Sequence, residues 1–133
     1  MSVTIDGRAE ELLQAKNFCH VATLRVDGSV HGTPVWADVQ DGVAVLNTAE
    51  GRSWPRNLER DTRITLTVQN LENPYEYVEI RGREAERTHE GADAHIDALA
   101  KKYMGLDVYP LRKPGEQRLI IRVAAEFVKV WGG

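Results

Sequence analysis

The sequence predicts a mainly β fold, a small barrel of six antiparallel strands with helices at its ends. Three observations carry this expectation. Asp27-Gly28 and Asp41-Gly42 each separate two apolar or alternating runs, and Asp-Gly favours a type I′ hairpin because both central positions need positive φ. Runs rich in β-branched residues, such as Arg63 to Val68 (RITLTV), suit a pleated, half-buried surface. No strand–helix–strand alternation is visible, which disfavours a doubly wound parallel sheet.

The elements follow in order. Residues 6 to 16 (DGRAEELLQAK) read as a short helix with Asp6 as N-cap, acids early, Lys16 late, and Leu12 and Leu13 as an apolar face that plugs one end of the core. Phe18 to Val26 alternates as a strand, and Val30 to Val39 and Val43 to Ala49 complete a three-stranded meander across the two Asp-Gly turns. Arg63 to Val68 is the fourth strand, ended by the breakers Asn70 to Pro74. The fifth, Tyr75 to Arg87, places Tyr75, Tyr77, Glu79, Arg81 and Arg83 on one face. That face is charged enough to line a site. Residues 89 to 104 carry Ala92, Ile96, Leu99, Ala100 and Tyr103 at helical spacing before Gly105. Arg118 to Trp131 closes the sheet, with a bulge expected at Ala124-Ala125.

At 133 residues the chain suffices for one domain, residues 1–133, but not for a core plus a separate cofactor domain. A sizeable ligand is therefore expected to need a partner subunit. A formal net charge of −3 argues against general nucleic-acid binding and for one discrete anion instead. Cys19 is the single cysteine, and His20, His31, His89 and His95 lack metal-site spacing, so no metal is expected. The N-terminus has no apolar run of signal or membrane-spanning length, which points to a cytoplasmic chain that does not engage a membrane.

Chemistry concentrates in Asn47 to Arg63 (NTAEGRSWPRNLERDTR), where an apolar strand enters a glycine turn and an arginine-striped helix. A helix start offers unpaired N–H groups and partial positive charge to an anion. Arg52, Arg56 and Arg60 share a helical face at four-residue spacing, and guanidinium forks hold phosphate or carboxylate in bidentate fashion. The alternative is a solvated turn with salt bridges to Glu50, Glu59 and Asp61. From these residues alone both readings stand.

The order helix, DG hairpin, TPVW strand, NTAEGR turn, RNLERD helix and NPYEYVEIRGR strand resembles the split β-barrel flavin and deazaflavin enzymes. More narrowly it is similar to the pyridoxamine 5'-phosphate oxidase-like (FMN-binding-like) group that uses coenzyme F420. Motifs of that group recur here at Thr48 to Arg52, Arg56 to Arg63 and Lys101 to Pro110. The resemblance implies a homodimer with cofactor grooves at the subunit interface. Each groove would be lined by Thr33, Pro34, Val35 and Trp36 on the second strand and by Asn47, Thr48 and Ala49 on the third. Arg52 and Ser53 would hold the phosphate, with Arg56 and Asn57 one turn further on and Tyr75 and Tyr77 as groove or partner contacts. Many relatives place a lysine where this chain has Trp54. Either Arg56 substitutes and Trp54 stacks on cofactor or substrate, or the site binds its cofactor weakly or prefers a different one.

The activity implied is F420-dependent reduction of an unsaturated small molecule, because a deazaflavin favours two-electron chemistry and the protein mainly positions and desolvates. The alternatives are an FMN-dependent oxidoreductase on the same barrel and a non-catalytic F420- or FMN-binding protein. Tyr77, Tyr75, His31 and water are the candidate proton donors. For the tyrosines barrel packing is the competing role, and for His31 a satisfied place in a strand. Cys19 reads as a small apolar strand residue.

Overall fold

The computed structural model describes residues 2–132. Its elements are α1 (Gly7–Gln14), β1 (Cys19–Leu24), β2 (Val30–Val35), β3 (Ala37–Gln40), β4 (Val43–Ala49), α2 (Ser53–Arg60), β5 (Arg63–Gln69), β6 (Tyr77–Thr88), α3 (Ala92–Met104) and β7 (Arg118–Trp131). The strands form one antiparallel sheet in the order β2-β1-β5-β6-β7-β4-β3. Its edge strands, β2 and β3, are consecutive in the chain and separated only by Trp36. The sheet must therefore curl until its two ends meet at that residue, which makes a split barrel.

Seven strands replace the six expected because Val30 to Val39 breaks at Trp36. The first half pairs with β1 and the second with β4, so the chain turns a barrel corner and the expected meander opens into two hairpins. Pro34 sits just before the corner, opposite His20 on an edge strand, where its missing N–H costs no ladder bond. The second Asp-Gly turn has positive φ at both Asp41 and Gly42, as a type I′ turn requires. The first does not. Only Gly28 is positive there, and the Asp27 carboxylate accepts from the Ser29 N–H at 3.0 Å instead.

The core lies inside the curl, with Val21, Leu46, Leu66, Ile80 and Ile121 fully buried. As expected, α1 plugs one end through Leu12 and Leu13, each 1% exposed. Asp6 is its N-cap in backbone position, with no side-chain cap bond. The bulge falls beside its expected place: Arg81 faces Phe127 and Gly82 faces Ala125, leaving Glu126 as the extra residue of β7. Strand β4 is buried on both faces from Ala44 onward. Ala44, Leu46 and Thr48 alternate inward, while Val45 and Asn47 lie under α3, where Val45 packs with Ala92 and Ile120. Among the described residues no helix is long and apolar enough to cross a membrane.

Gly82 permits the bulge, since a Cβ there would run into the Ala124 carbonyl, whereas one on Gly32 meets open space. Gly82→Ala is expected to destabilise the fold by about 1–3 kcal/mol in urea unfolding, and Gly32→Ala to change it by less than about 0.5 kcal/mol.

Candidate functional site

The corner at Trp36 is held from the far end of the chain. Tyr103 lies between two aromatic rings, stacked on Trp36 at 5.2 Å and on Phe18 at 5.8 Å, while Tyr109 meets Trp36 edge-on at 5.9 Å. The Tyr103 hydroxyl donates to the Asn17 carbonyl at 2.6 Å and accepts from the Ala37 N–H at 3.2 Å. Lys102 Nζ donates to the carbonyls of Leu13 and Ala37 at 2.6 and 2.7 Å. Burial pushes the Tyr103 phenol up to about 12 and holds the Lys102 ammonium below its ordinary range. The segment Lys101 to Pro110 thus serves as a clamp on the corner.

Beside this clamp opens a groove of about 270 Å³. Pro34, Val35 and Trp36 form part of its lining, with Phe18, Ile96, Tyr109 and Leu111 extending the apolar surface. Asn47, Arg52 and Arg118 supply the polar part. Arg118 is nearly inaccessible and its Nε donates to Asn47 Oδ1 at 2.9 Å, while its Nη1 pairs with Glu116 at 3.0 Å. Arg52 is half exposed, its one ion pair among the described residues a loose 3.9 Å contact with Glu116. A flat ring matches the apolar part chemically, and an anion matches Arg52.

Five residues assigned from the sequence meet here: Pro34, Val35, Trp36, Asn47 and Arg52. Others do not. Thr33 is half-buried on the edge strand outside the lining. Thr48 and Ala49 are buried in β4, and the Thr48 hydroxyl has no partner. Ser53 and Asn57 line a separate shallow depression with Arg25, Val26 and Asp27. Asn57 is also committed internally, donating to Thr23 Oγ1 at 3.1 Å and accepting from Arg60 at 3.1 Å.

The arginine stripe does not converge on one anion. Arg52 precedes α2 in extended conformation, Arg56 is exposed, and Arg60 donates to the Leu24 carbonyl at 2.9 Å, tying the helix to β1. Glu50, Glu59 and Asp61 are not the partners of these arginines; Asp61 holds Arg63 instead, at 2.6 Å. Trp54 is corrected as well. It is 4% exposed within the main core cluster, so its indole is unavailable for stacking on a ligand. The amphipathic α2 turns Trp54 and Leu58 inward, and the tryptophan is an apolar anchor of the core.

Tyr75 is exposed ahead of β6, and Tyr77 stacks on Trp131 at 6.4 Å and lines a small depression with His20, Thr67 and Gln69. His31 is half-buried in β2 with Nδ1 unpartnered. None of the three lines the groove in this chain. The charged face of β6 does line a depression, of about 340 Å³, with Arg63, Arg81, Arg83 and Glu126. Its arginines are already paired, with Asp61, Glu79 and Glu126 respectively, which leaves Arg52 the better anion contact. Burial pushes the Cys19 thiol up to about 12, so it is not an activated nucleophile. Among the described residues no cluster of His, Cys, Asp or Glu is suited to a metal.

Sequence reasoning missed Arg118 and His95. The only signals were an arginine opening a largely apolar strand and a histidine three residues after Ala92 on the buried stripe of α3. His95 is 7% exposed, and burial lowers its pKa.

The family model of pyridoxamine 5'-phosphate oxidase matches residues 5–132. No curated protein matches the chain. Among solved structures the chain is similar to an F420 reductase, with 25% identity, a TM-score of 0.79, and coverage of 90% of this chain and 94% of that one. It is also similar to a conserved hypothetical protein from Mycobacterium tuberculosis (22% identity, TM-score 0.75, 98% and 86% covered). A heme binding protein from Mycobacterium smegmatis (19% identity, TM-score 0.68, 98% and 56% covered) shares the fold.

Because Trp54 is a core residue, Trp54→Lys is expected to destabilise the fold by about 3–5 kcal/mol in urea unfolding rather than add an anion contact. Arg56→Ala, at an exposed position, is expected to change stability by less than about 0.5 kcal/mol.

Proposed function

The chain belongs to the pyridoxamine 5'-phosphate oxidase family, and from that premise we propose that it is an F420-dependent reductase of an unsaturated small molecule. The observation that carries this reading is the convergence of Pro34, Val35, Trp36, Asn47 and Arg52, from three chain segments, on one groove. Likeness to an F420 reductase over 90% of the chain supports it.

The residues present fit such a cofactor. Trp36, Val35 and Pro34 would face its ring system, Asn47 offers polar contact, and Arg52 retains donors for the phosphate. At the phosphate itself, the charge to be neutralised is smaller for F420 than for FMN. A monoester phosphate carries close to two charges at neutral pH, whereas the phosphodiester of F420 carries one. With Trp54 in the core, Arg60 tied to β1 and Arg118 held by Asn47 and Glu116, Arg52 is the groove arginine with donors to spare, and Glu116 partly offsets it.

When bound and reduced, F420 supplies two-electron hydride chemistry to an electron-poor carbon. The protein's part would be to hold the ring system beside Trp36, exclude water along Val35, Ile96 and Tyr109, and neutralise the phosphate with Arg52. Reduction also needs a proton, and Tyr109 is the phenol that borders the groove. A second copy of the chain would close the open side, beside Phe18 and Leu111, which are 42% and 63% exposed. Tyr75, Tyr77 and His31, outside the groove's lining here, would contribute to it from that second copy.

Fluorescence titration of F420 and FMN side by side tests the assignment. F420 is expected to bind, and Arg52→Ala to weaken it by about tenfold or more, the loss of a charge-assisted contact. Tight FMN uptake without F420 binding would overturn the cofactor. Reduced F420 is expected to be oxidised faster when an enone or quinone is added with the protein; binding without turnover would leave a carrier, not an enzyme.

A further inference from the structure

Beneath the groove runs a chain of polar contacts whose far end is His95. Asn47 Oδ1 accepts from Arg118 Nε at 2.9 Å, and a guanidinium can only donate. Asn47 Nδ2 donates to the Ala92 carbonyl at 3.0 Å, which can only accept. The two contacts fix the orientation of the amide independently. Nδ2 also lies 3.0 Å from His95 Nδ1, so that ring nitrogen must be the acceptor and the proton of the neutral ring must sit on Nε2. A protonated His95 would oppose an N–H to an N–H, and the amide cannot turn over without facing Arg118 with a second donor.

The chain continues beyond Asn47. Arg118 Nη1 pairs with Glu116 Oε1 at 3.0 Å, and Glu116 Oε2 lies 3.9 Å from Arg52 Nη2. Asn47, Arg118 and Arg52 all line the groove. His95 does not, and it is nine-tenths buried with Nε2 unpartnered. The charges acting on it come from Asp38 of β3, Lys102 of its own helix, and Arg118 and Arg122 of β7. Three of the four are cationic, and together with burial they oppose a proton on the ring.

We propose that His95 is a positioning residue of the groove: as a neutral ring protonated on Nε2 it holds the Asn47 amide, and through that amide it sets the guanidinium of Arg118 in the groove's wall. This rests on the reading of the groove as a cofactor site. It adds that ligand affinity depends on a side chain that does not touch the ligand. Protonation of His95 disconnects the amide, so affinity is full above the ring's pKa and is lost below it.

The test pairs two variants with two readouts. His95→Asn keeps an acceptor at the Nδ1 position, and His95→Phe removes it. In the free protein, nitrogen NMR of the ring is expected to show the neutral Nε2–H tautomer from pH 6.5 to 8, and His95→Phe is expected to shift the Nε–H resonance of Arg118. An Nδ1–H or doubly protonated ring in that range, or an unmoved Arg118 signal in a folded His95→Phe protein, overturns the proposal. In F420 titrations, His95→Phe is expected to raise Kd about fivefold or more, with His95→Asn within about twofold of the parent. The parent's Kd is expected to rise by up to about tenfold per pH unit below the ring's pKa, and His95→Asn to abolish that rise. A His95→Phe protein that binds like the parent overturns the proposal. If the parent takes FMN and not F420, the cofactor assignment fails, and the same variants titrated with FMN decide the role of His95.

Discussion

The structure depends on one corner. Strands β2 and β3 lie at opposite ends of the sheet yet are joined through Trp36 alone, so the barrel closes only if the chain turns sharply there. A sharp turn takes backbone groups out of the ladder, and buried ones must be paired elsewhere. Tyr103 and Lys102 do this for Ala37, accepting from its N–H and donating to its carbonyl. The same two side chains reach Asn17 and Leu13. One turn of α3 thereby ties the corner to the segment that plugs the barrel's end.

That arrangement also makes the groove. Fixing the corner fixes the plane of Trp36, stacked 4° from parallel on Tyr103, and so presents a rigid aromatic wall. With α3 clamped on the sheet, its buried stripe covers the outer face of β4, and a polar residue on that face must find partners inside the protein. Asn47 finds them in Ala92, His95 and Arg118. The groove's apolar and polar parts are thus consequences of the same packing of α3. Arg52 differs, since it stands at the mouth with a weak partner, and there its charge remains available.

Much of this was legible in the sequence. The alternation of Cys19, Val21 and Thr23, the apolar spacing of α3 and the Asp41-Gly42 turn each follow local rules of period and backbone preference. The motifs that carried the family resemblance placed Pro34, Val35, Trp36, Asn47 and Arg52 together before the structure did. The failures share a cause. Spacing puts Arg60 on an anion-facing stripe and the family resemblance puts Trp54 and Asn57 at the groove, but neither spacing nor motif says what covers a side chain. The core covers Trp54, and β1 engages Asn57 and Arg60.

The sequence by itself determined the element types and the family, because both are written in local patterns: turn residues, periodicity and short ordered motifs. Only the tertiary structure decided which charges remain free and which histidine matters. A side chain's chemistry depends on its partners and its burial, and those come from residues far away in the chain. Arg118 lies 71 residues from Asn47, and His95 lies 48. No local pattern records such a meeting.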